Sequence, residues 1–535
     1  MTVVAPDPAG TLGDPATDAG AGSRRAAGTR AGRAAVPVAV GVLAVLVYAV
    51  DLTRPSPWRD EVATIDAARR TVGGILALTR HVDAVHAAYY LLTRAVADVD
   101  PGPVRVLDGR LISLVALAFA AAGTVLIGRR TDGARSGLAA GLLLVVSPLA
   151  SRFAAEARPF ALATALAVAA TLALLRALDR PSGPRWAAYG VALAALGAVE
   201  TLALPLLLAA HAVHLAATAY ARHLARPAGQ GRPAPPAGPG RPAPPAWSAV
   251  RPWAVAAVAA VAVVAPLALV VTGQRGQLSA LASPAPRDLA DYAISAAGSR
   301  AGLVLLVAAA GAAVVLAARG RRASRGPADG RRPGVRPAAP WATAAAGWLL
   351  PLAWGVGLPV AVWLVSQVEP LFRDRYVLFT LPGIALLVGR VLTRLPLPLG
   401  VAVLLAVTGA GLPAQASIRG PGGHGEDIRA LDVAVAGLRR PGDAVVFVPG
   451  STARVVQLQP SVWAGLPDHT DRPSLPATRV LLVRRVAASH RPGADAPPTA
   501  DRATLAAVAA GRRVTATAAV TGFTVTVYAA ARGPG

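Results

Sequence analysis

From Ala34 to about residue 415 the sequence is a succession of apolar runs separated by short polar connections. Peptide groups inside hydrocarbon must find their hydrogen-bond partners within the segment, so runs of roughly 20 apolar residues are restricted to helices. This predicts about eleven spanning helices, near residues 34–52, 110–128, 137–151, 159–177, 186–199, 202–220, 252–272, 301–319, 341–365, 376–392 and 397–415. With 54% hydrophobic residues and a mean hydropathy of +0.51, the fold class is a polytopic α-helical membrane protein. A small α/β domain is expected after the last span.

Residues 1–33 are rich in Gly, Ala, Asp and Arg without apolar periodicity and read as a disordered cytoplasmic tail. Arginine clusters in alternate connections, such as "GRRTDGAR", "RALDRPSGPR" and "ARGRRASRGPADGRRPGVRP". By the positive-inside rule these face the cytoplasm, which puts the N-terminus inside and the C-terminal domain outside a plasma membrane. The formal charge of +25 comes from arginine alone, since lysine and asparagine are both absent. That pattern fits the codon bias of a GC-rich genome, and no nucleic-acid partner is expected. No cysteine is present, so disulfides, thiolate metal sites and cysteine nucleophiles are excluded.

Two outer segments are long. Residues 53–109 form a first outer loop whose apolar stretches are too short and too charged to span, and they read as interfacial helices. Residues 416–535 alternate helical and strand patterns. "EDIRALDVAVAGLRRPGDAVVFVPG" gives a helix, a turn and a strand, "TRVLLVRRV" and "GFTVTVYAA" give further strands, and a helix is expected around "RATLAAVAAGRR".

Only five glutamates occur, Glu61, Glu156, Glu200, Glu369 and Glu426, and all fall on the outer side of this topology. Ionisable residues at the membrane boundary commonly line a cavity, though each could simply mark a helix end. In "SPWRDEVATIDAARR", Asp60 and Glu61 follow the first span. Adjacent helix positions diverge by about 100°, so the two carboxylates are expected to divide their tasks, with one facing a reacting centre. Trp58 beside them is of the interfacial anchor type. In "HVDAVHAAYY", His81, Asp83 and His86 could hold a divalent cation, but not at the i, i+4 spacing of helical metal pairs, so no metal site is assigned. Otherwise this is an interfacial helix with Tyr89 and Tyr90 at headgroup level. "SRFAAEARPFAL" carries Arg152, Glu156 and Arg158, and "SQVEPLFRDRYVLFTLP" carries Glu369, Arg373, Asp374, Arg375 and Tyr376. Their arginines could clamp a phosphate or merely pair with nearby acids, Arg158 with Glu156 and an Arg with Asp374. His211 and His214, inside a span, read as packing residues.

Taken in order, "WRDE", "HVDAVHAAYY", "SPLASRFAAEARPFAL" and "RDRYVLFTLP" resemble the GT-C superfamily of multi-spanning glycosyltransferases. The likeness is to the family 39-like group that includes protein O-mannosyltransferases and the aminoarabinose lipid A transferase. The resemblance implies an active site at the outer face, between the first outer loop and the bundle, in a GT-C domain spanning residues 34–415. It assigns Asp60 as catalytic base with Glu61 beside it, and Arg158 and Arg375 as donor-phosphate ligands. His81, Asp83, His86, Tyr89, Tyr90, Glu156, Glu369 and Tyr376 would line the substrate cavity. The implied partners are a polyprenyl-phosphate sugar donor, membrane lipids, and a cell-envelope glycan, lipid or protein acceptor. No cofactor is certain, a divalent cation being a remote possibility. The sugar would be mannose or another pentose or hexose. Relatives often have His-Pro-Pro before a Tyr where this chain has His86, Ala87, Ala88 and Tyr89. The tail also lacks a match to the β-trefoil of eukaryotic protein mannosyltransferases. A transporter or lipid flippase, and a non-catalytic envelope-assembly protein, are the competing classes. One-sided acids disfavour the first, and eleven spans are poorly explained by the second.

Overall fold

The computed structural model describes residues 34–99, 103–224, 247–278, 283–323, 347–471, 478–486 and 499–531. The expected tail at 1–33 lies outside them. Helix α1 (Ala34–Ala49) leads into the first long loop. That loop folds into α2 (Arg59–Ala68), α3 (Val72–Thr79) and α4 (Ala87–Ala97). Then follow α5 (Val106–Thr131), α6 (Ala134–Val146), α7 (Pro148–Ala154), α8 (Phe160–Asp179), α9 (Gly183–Val199), α10 (Ala203–Leu224), α11 (Val250–Gly273), α12 (Pro286–Ala296) and α13 (Arg300–Ala323). After these come α14 (Gly347–Val365), α15 (Leu381–Leu392) and α16 (Leu397–Ile418).

Seven of these, α5, α8, α10, α11, α13, α14 and α16, are each long and apolar enough to cross a membrane, and α6 with α7 makes an eighth, bent by 60°. The remaining expected positions hold shorter helices: α1, α9, and α15 preceded by a 3-10 turn at Leu378–Thr380. This is a multi-pass membrane protein. The span expected at 137–151 is not straight, because Pro148 cannot continue α6 and instead starts α7, with Ser147 Oγ accepting the Ala150 N–H as its cap. The break turns the "SRFAAEARPF" segment back toward the first long loop.

Within the bundle, α5 and α8 have 67% of their spanning windows buried by protein, against 22% for α11 and 17% for α13 and α16. The first two are therefore the core and the last three face lipid. Small residues let the core helices touch. A methyl group on Gly137 of α6 would stand 2.4 Å from the Val125 carbonyl oxygen of α5, and one on Gly355 of α14 would stand 2.4 Å from the Ile384 nitrogen of α15.

The C-terminal domain is a four-stranded sheet, β1 (Ala444–Val448), β2 (Arg479–Arg485), β3 (Arg512–Val520) and β4 (Phe523–Ala530), in the order β1-β2-β4-β3. The β1–β2 pair is parallel and the others antiparallel. Helix α17 (Ile428–Leu438) covers one face against Val445, Phe447, Leu481 and Val483. Helix α19 (Thr499–Ala509) packs Leu505 and Val508 on the alternate residues Val446, Val448, Val480 and Leu482 of the other face. A short α18 (Pro460–Trp463) lies between. Val62 of α2 belongs to the same core as Ile428 and Trp463, so the first long loop and this domain share one hydrophobic seal. The helix expected around 502–513 ends at Ala509, and Arg512 and Arg513 begin β3, an edge strand absent from the sequence reading.

Candidate active site

The divergence expected of Asp60 and Glu61 is realised. Glu61 is fully buried and receives Arg110 Nε and Nη2 on its two oxygens at 2.8 Å each, with the Ala157 N–H donating to Oε1 at 2.8 Å. Arg110 spends Nη1 on the carbonyls of Leu52 and Pro55, at 2.9 and 3.0 Å. Burial pushes the Glu61 carboxyl up, but the Arg110 guanidinium outweighs it and holds the group below its usual range. Glu61 is thus a staple joining the first long loop, α5 and the Glu156 turn. It is a positioning residue here, with no free acceptor for a substrate, unlike the catalytic place the resemblance implied.

Asp60 keeps 26% side-chain exposure and accepts from Arg375 Nη1 at 3.1 Å. Its backbone carbonyl, together with Thr64 Oγ1, accepts from Arg158 Nη1, at 3.3 and 3.4 Å. Arg158 Nη2 lies 2.6 Å from His86 Nε2. A guanidinium only donates, so Nε2 is the acceptor and the imidazole proton sits on Nδ1. Burial, followed by Arg158 and Arg375, holds the His86 pKa well below its ordinary value, which agrees with a neutral ring. The Arg375 guanidinium lies 5.9 Å from the Trp58 ring centroid and 5.2 Å from that of Tyr376. Two aromatic rings within about 6 Å restrain a flat cation in orientation.

Behind this pair, Glu156 is buried with no hydrogen-bond partner for either carboxyl oxygen among the described residues. Burial, countered first by Arg152, raises it to about 8, so it stays protonated at neutral pH. Glu200, also buried, is raised to about 7 by burial, with Arg158 opposing. Because folding raises the Glu156 pKa from 4.5 to about 8, its contribution to stability is full below pH 4.5 and is lost as pH rises to 8. Glu156→Gln is expected to melt with wild type near pH 4.5 and at higher temperature above pH 8 in lipid nanodiscs. Parallel curves at both pH values would refute the assignment.

The segment after α16, "GPGGHGED", clasps the strand of loop that carries Asp60. The Ser56 N–H donates to the Pro421 carbonyl at 2.8 Å, and Ser56 Oγ accepts the Arg429 N–H at 3.1 Å. Arg59 pairs through Nε with Glu426 Oε1 at 2.8 Å, its backbone N–H reaching Oε2 at 3.2 Å. His424 Nδ1 stands 3.6 Å from Glu61, and burial lowers its pKa to about 4.

The other expected cavity residues divide. Tyr376 packs edge-on against Phe160 at 5.8 Å and joins the cluster. Tyr90 donates to Asp83 at 3.3 Å and faces His86, whereas Tyr89 OH bonds the Gly109 carbonyl at 2.9 Å and acts as a strut to α5. Both tyrosines are wholly buried, and Trp58 nearly so, so none is a headgroup anchor. His81 is exposed and apart from the cluster, and Glu369 is half-buried at the end of α14. Among the described residues no group of three His, Asp or Glu is placed to hold a metal ion. The local pairing of Glu156 with Arg158 does not form, because Arg158 is drawn to Asp60 and His86. Asp374 does pair, with Arg152 at 3.3 Å. His211 is a packing residue as read, held between Thr171 and Tyr189 at 3.0 Å each. Arg110, Thr64 and His424 entered the site without a local signal of their function, and Glu426 was marked only as one of the outer-side acids.

No family model and no curated protein matches the chain. Among solved structures the chain finds a likeness of fold. The likeness is to ArnT from Cupriavidus metallidurans. The structure bound to undecaprenyl phosphate is 13% identical, with a TM-score of 0.52, over 92% of this chain and 97% of that one. The apo structure gives the same identity and score over 93% and 98%.

Proposed function

We propose that this protein moves a sugar from a polyprenyl-phosphate donor to a cell-envelope acceptor at the outer face of the plasma membrane, with inversion at C1. The observation that carries this reading is the Asp60–Arg375 pair, a partly exposed carboxylate and guanidinium at one boundary of the bundle, flanked by Arg158. An apolar groove of about 440 Å³ lies close by, lined by aliphatic side chains of α6, α12, α13, α14 and α15. Tyr292 lines it and donates through its hydroxyl to the Val377 carbonyl, two residues from Arg375, at 3.0 Å. Such a groove suits a polyprenyl chain, with its phosphate meeting the partly exposed Arg375. The likeness to an ArnT structure bound to undecaprenyl phosphate supports the same class of donor.

In the reaction the acceptor hydroxyl oxygen forms a bond to C1 as the bond from C1 to the phosphate oxygen breaks. The hydroxyl proton passes to Asp60, and Arg375 stabilises the charge gathering on the departing polyprenyl phosphate. Protonated Glu156 adds no negative charge to a site that must hold a phosphate. The N-terminus would be cytoplasmic and the C-terminal domain extracytoplasmic, with mannose or another pentose or hexose as cargo.

The test is release of polyprenyl phosphate by protein in nanodiscs, supplied with a panel of polyprenyl-phosphate sugars and envelope extract as acceptor. One donor should be turned over, and Arg375→Ala should weaken its binding by tenfold or more, as expected for loss of about 1.5–3 kcal/mol from a charge-assisted contact. If the protein neither turns over nor binds any donor, the reading fails.

A further inference from the structure

A second apolar groove, of about 820 Å³, runs along the outside of the bundle between α9 and α11. The two helices lie parallel and start at the same level: a methyl group on Gly190 would stand 3.4 Å from the Ala256 carbonyl oxygen, and one on Gly197 would stand 2.8 Å from Val264 Cγ2. The walls are mostly small and aliphatic side chains, from Gly183 to Ala194 on α9 and from Arg251 to Val263 on α11. Over that length a helix rises about 17 Å, close to the roughly 15 Å depth of one leaflet's hydrocarbon. With only 22% of its spanning window buried, α11 presents this groove to lipid.

One end of the groove is basic. Arg251 lines it, is exposed, and joins no ion pair among the described residues. Arg180 and Arg185 stand at the same end. Arg185 donates to the Arg180 carbonyl, and neither guanidinium has a carboxylate partner among the described residues. Neither helix has a side-chain cap there, so the positive ends of two helix dipoles add to the same field. Trp247, 55% exposed just before α11, is of the type that settles at headgroup level.

We infer that this groove binds an anionic phospholipid, with one acyl chain between α9 and α11 and the phosphate against Arg251. Charge and depth together select the occupant. A zwitterionic headgroup brings a positive group to guanidiniums that already lack counter-ions, whereas an anionic one neutralises them. A free phosphate leaves the apolar length of the groove unfilled. The basic end is the end of α9 opposite Glu200, so the lipid belongs to the leaflet away from Asp60, and the inference does not rest on the transferase reading.

The experiment uses the full chain in nanodiscs of equal phosphatidylglycerol and phosphatidylcholine with matched acyl chains, released and read by native mass spectrometry. One phosphatidylglycerol should be retained in preference to phosphatidylcholine. Arg251→Gln, an exposed change, should lower that preference about fivefold, the usual effect of one basic side chain near an anionic surface. Ala187→Trp, which puts bulk on an exposed part of the wall, should abolish retention. Equal retention of the two lipids, or wild-type retention by either variant, would mean loosely associated lipid only and overturn the inference. Displacement of the lipid by an equal concentration of inorganic phosphate would overturn it as well, by showing a site for the anion alone.

Discussion

Glu61→Ala is expected to cost about 3–5 kcal/mol of stability, the loss seen when one partner of a buried ion pair is removed and the other charge stays behind. Arg110 is 1% exposed and pairs with no other carboxylate among the described residues, and its remaining donor nitrogen already serves two carbonyls. The pair itself is not a large net source of stability, because both charges must leave water to form it. Combining Glu61→Leu with Arg110→Met should therefore recover only part of the loss, because the Ala157 N–H and the Leu52 and Pro55 carbonyls are left unpartnered, at about 1–3 kcal/mol for each buried group that finds no substitute. Activity should not recover with it. The staple also fixes the helix that presents Asp60, and an apolar replacement has no directional bond to do so. Thermal unfolding and initial rates, measured on the same nanodisc preparations, separate the two effects. A single Glu61→Ala variant within about 1 kcal/mol of wild type would remove the staple from the account.

What could be read from the sequence follows physical range. Bilayer thickness acts on contiguous residues, so the apolar runs announced their helices, and the proline of "VVSPLASRF" is the local cause of the bend after Val146. Helix geometry likewise foretold that Asp60 and Glu61 would part. Which of them would be buried depended on Arg110, 49 residues away, and on the Ala157 N–H from another loop. Aromatic residues near a membrane boundary carry no mark of whether water or protein covers them, which is why Trp58, Tyr89 and Tyr90 resembled anchors. The clasp was similarly hidden, because Glu426 and Arg59 are brought together only when the C-terminal domain folds back on the first long loop. Strand β3 escaped for a different reason. As an edge strand with one partner, its "RRVTATAAV" has many exposed positions and no sustained apolar alternation for a period of two to reveal.

Asp60→Asn is expected to lower kcat by about 10²–10⁴-fold, the usual contribution of a positioned general base, while the donor still binds. The separation follows from geometry. Asparagine keeps the size of the side chain and an oxygen for Arg375, while the Arg158 contact is made to the backbone carbonyl and does not depend on the carboxylate. The cluster therefore stays assembled, but the proton of the attacking hydroxyl has no anionic acceptor. Arg375 is freed from a competing carboxylate, so its hold on a phosphate should be equal or tighter, and the donor KM should not rise. A role for Asp60 in merely orienting Arg375 predicts the opposite split, a higher donor KM with kcat nearly kept. Steady-state kinetics with the donor that wild type turns over decide between them, and a kcat within threefold of wild type would dismiss Asp60 as the base.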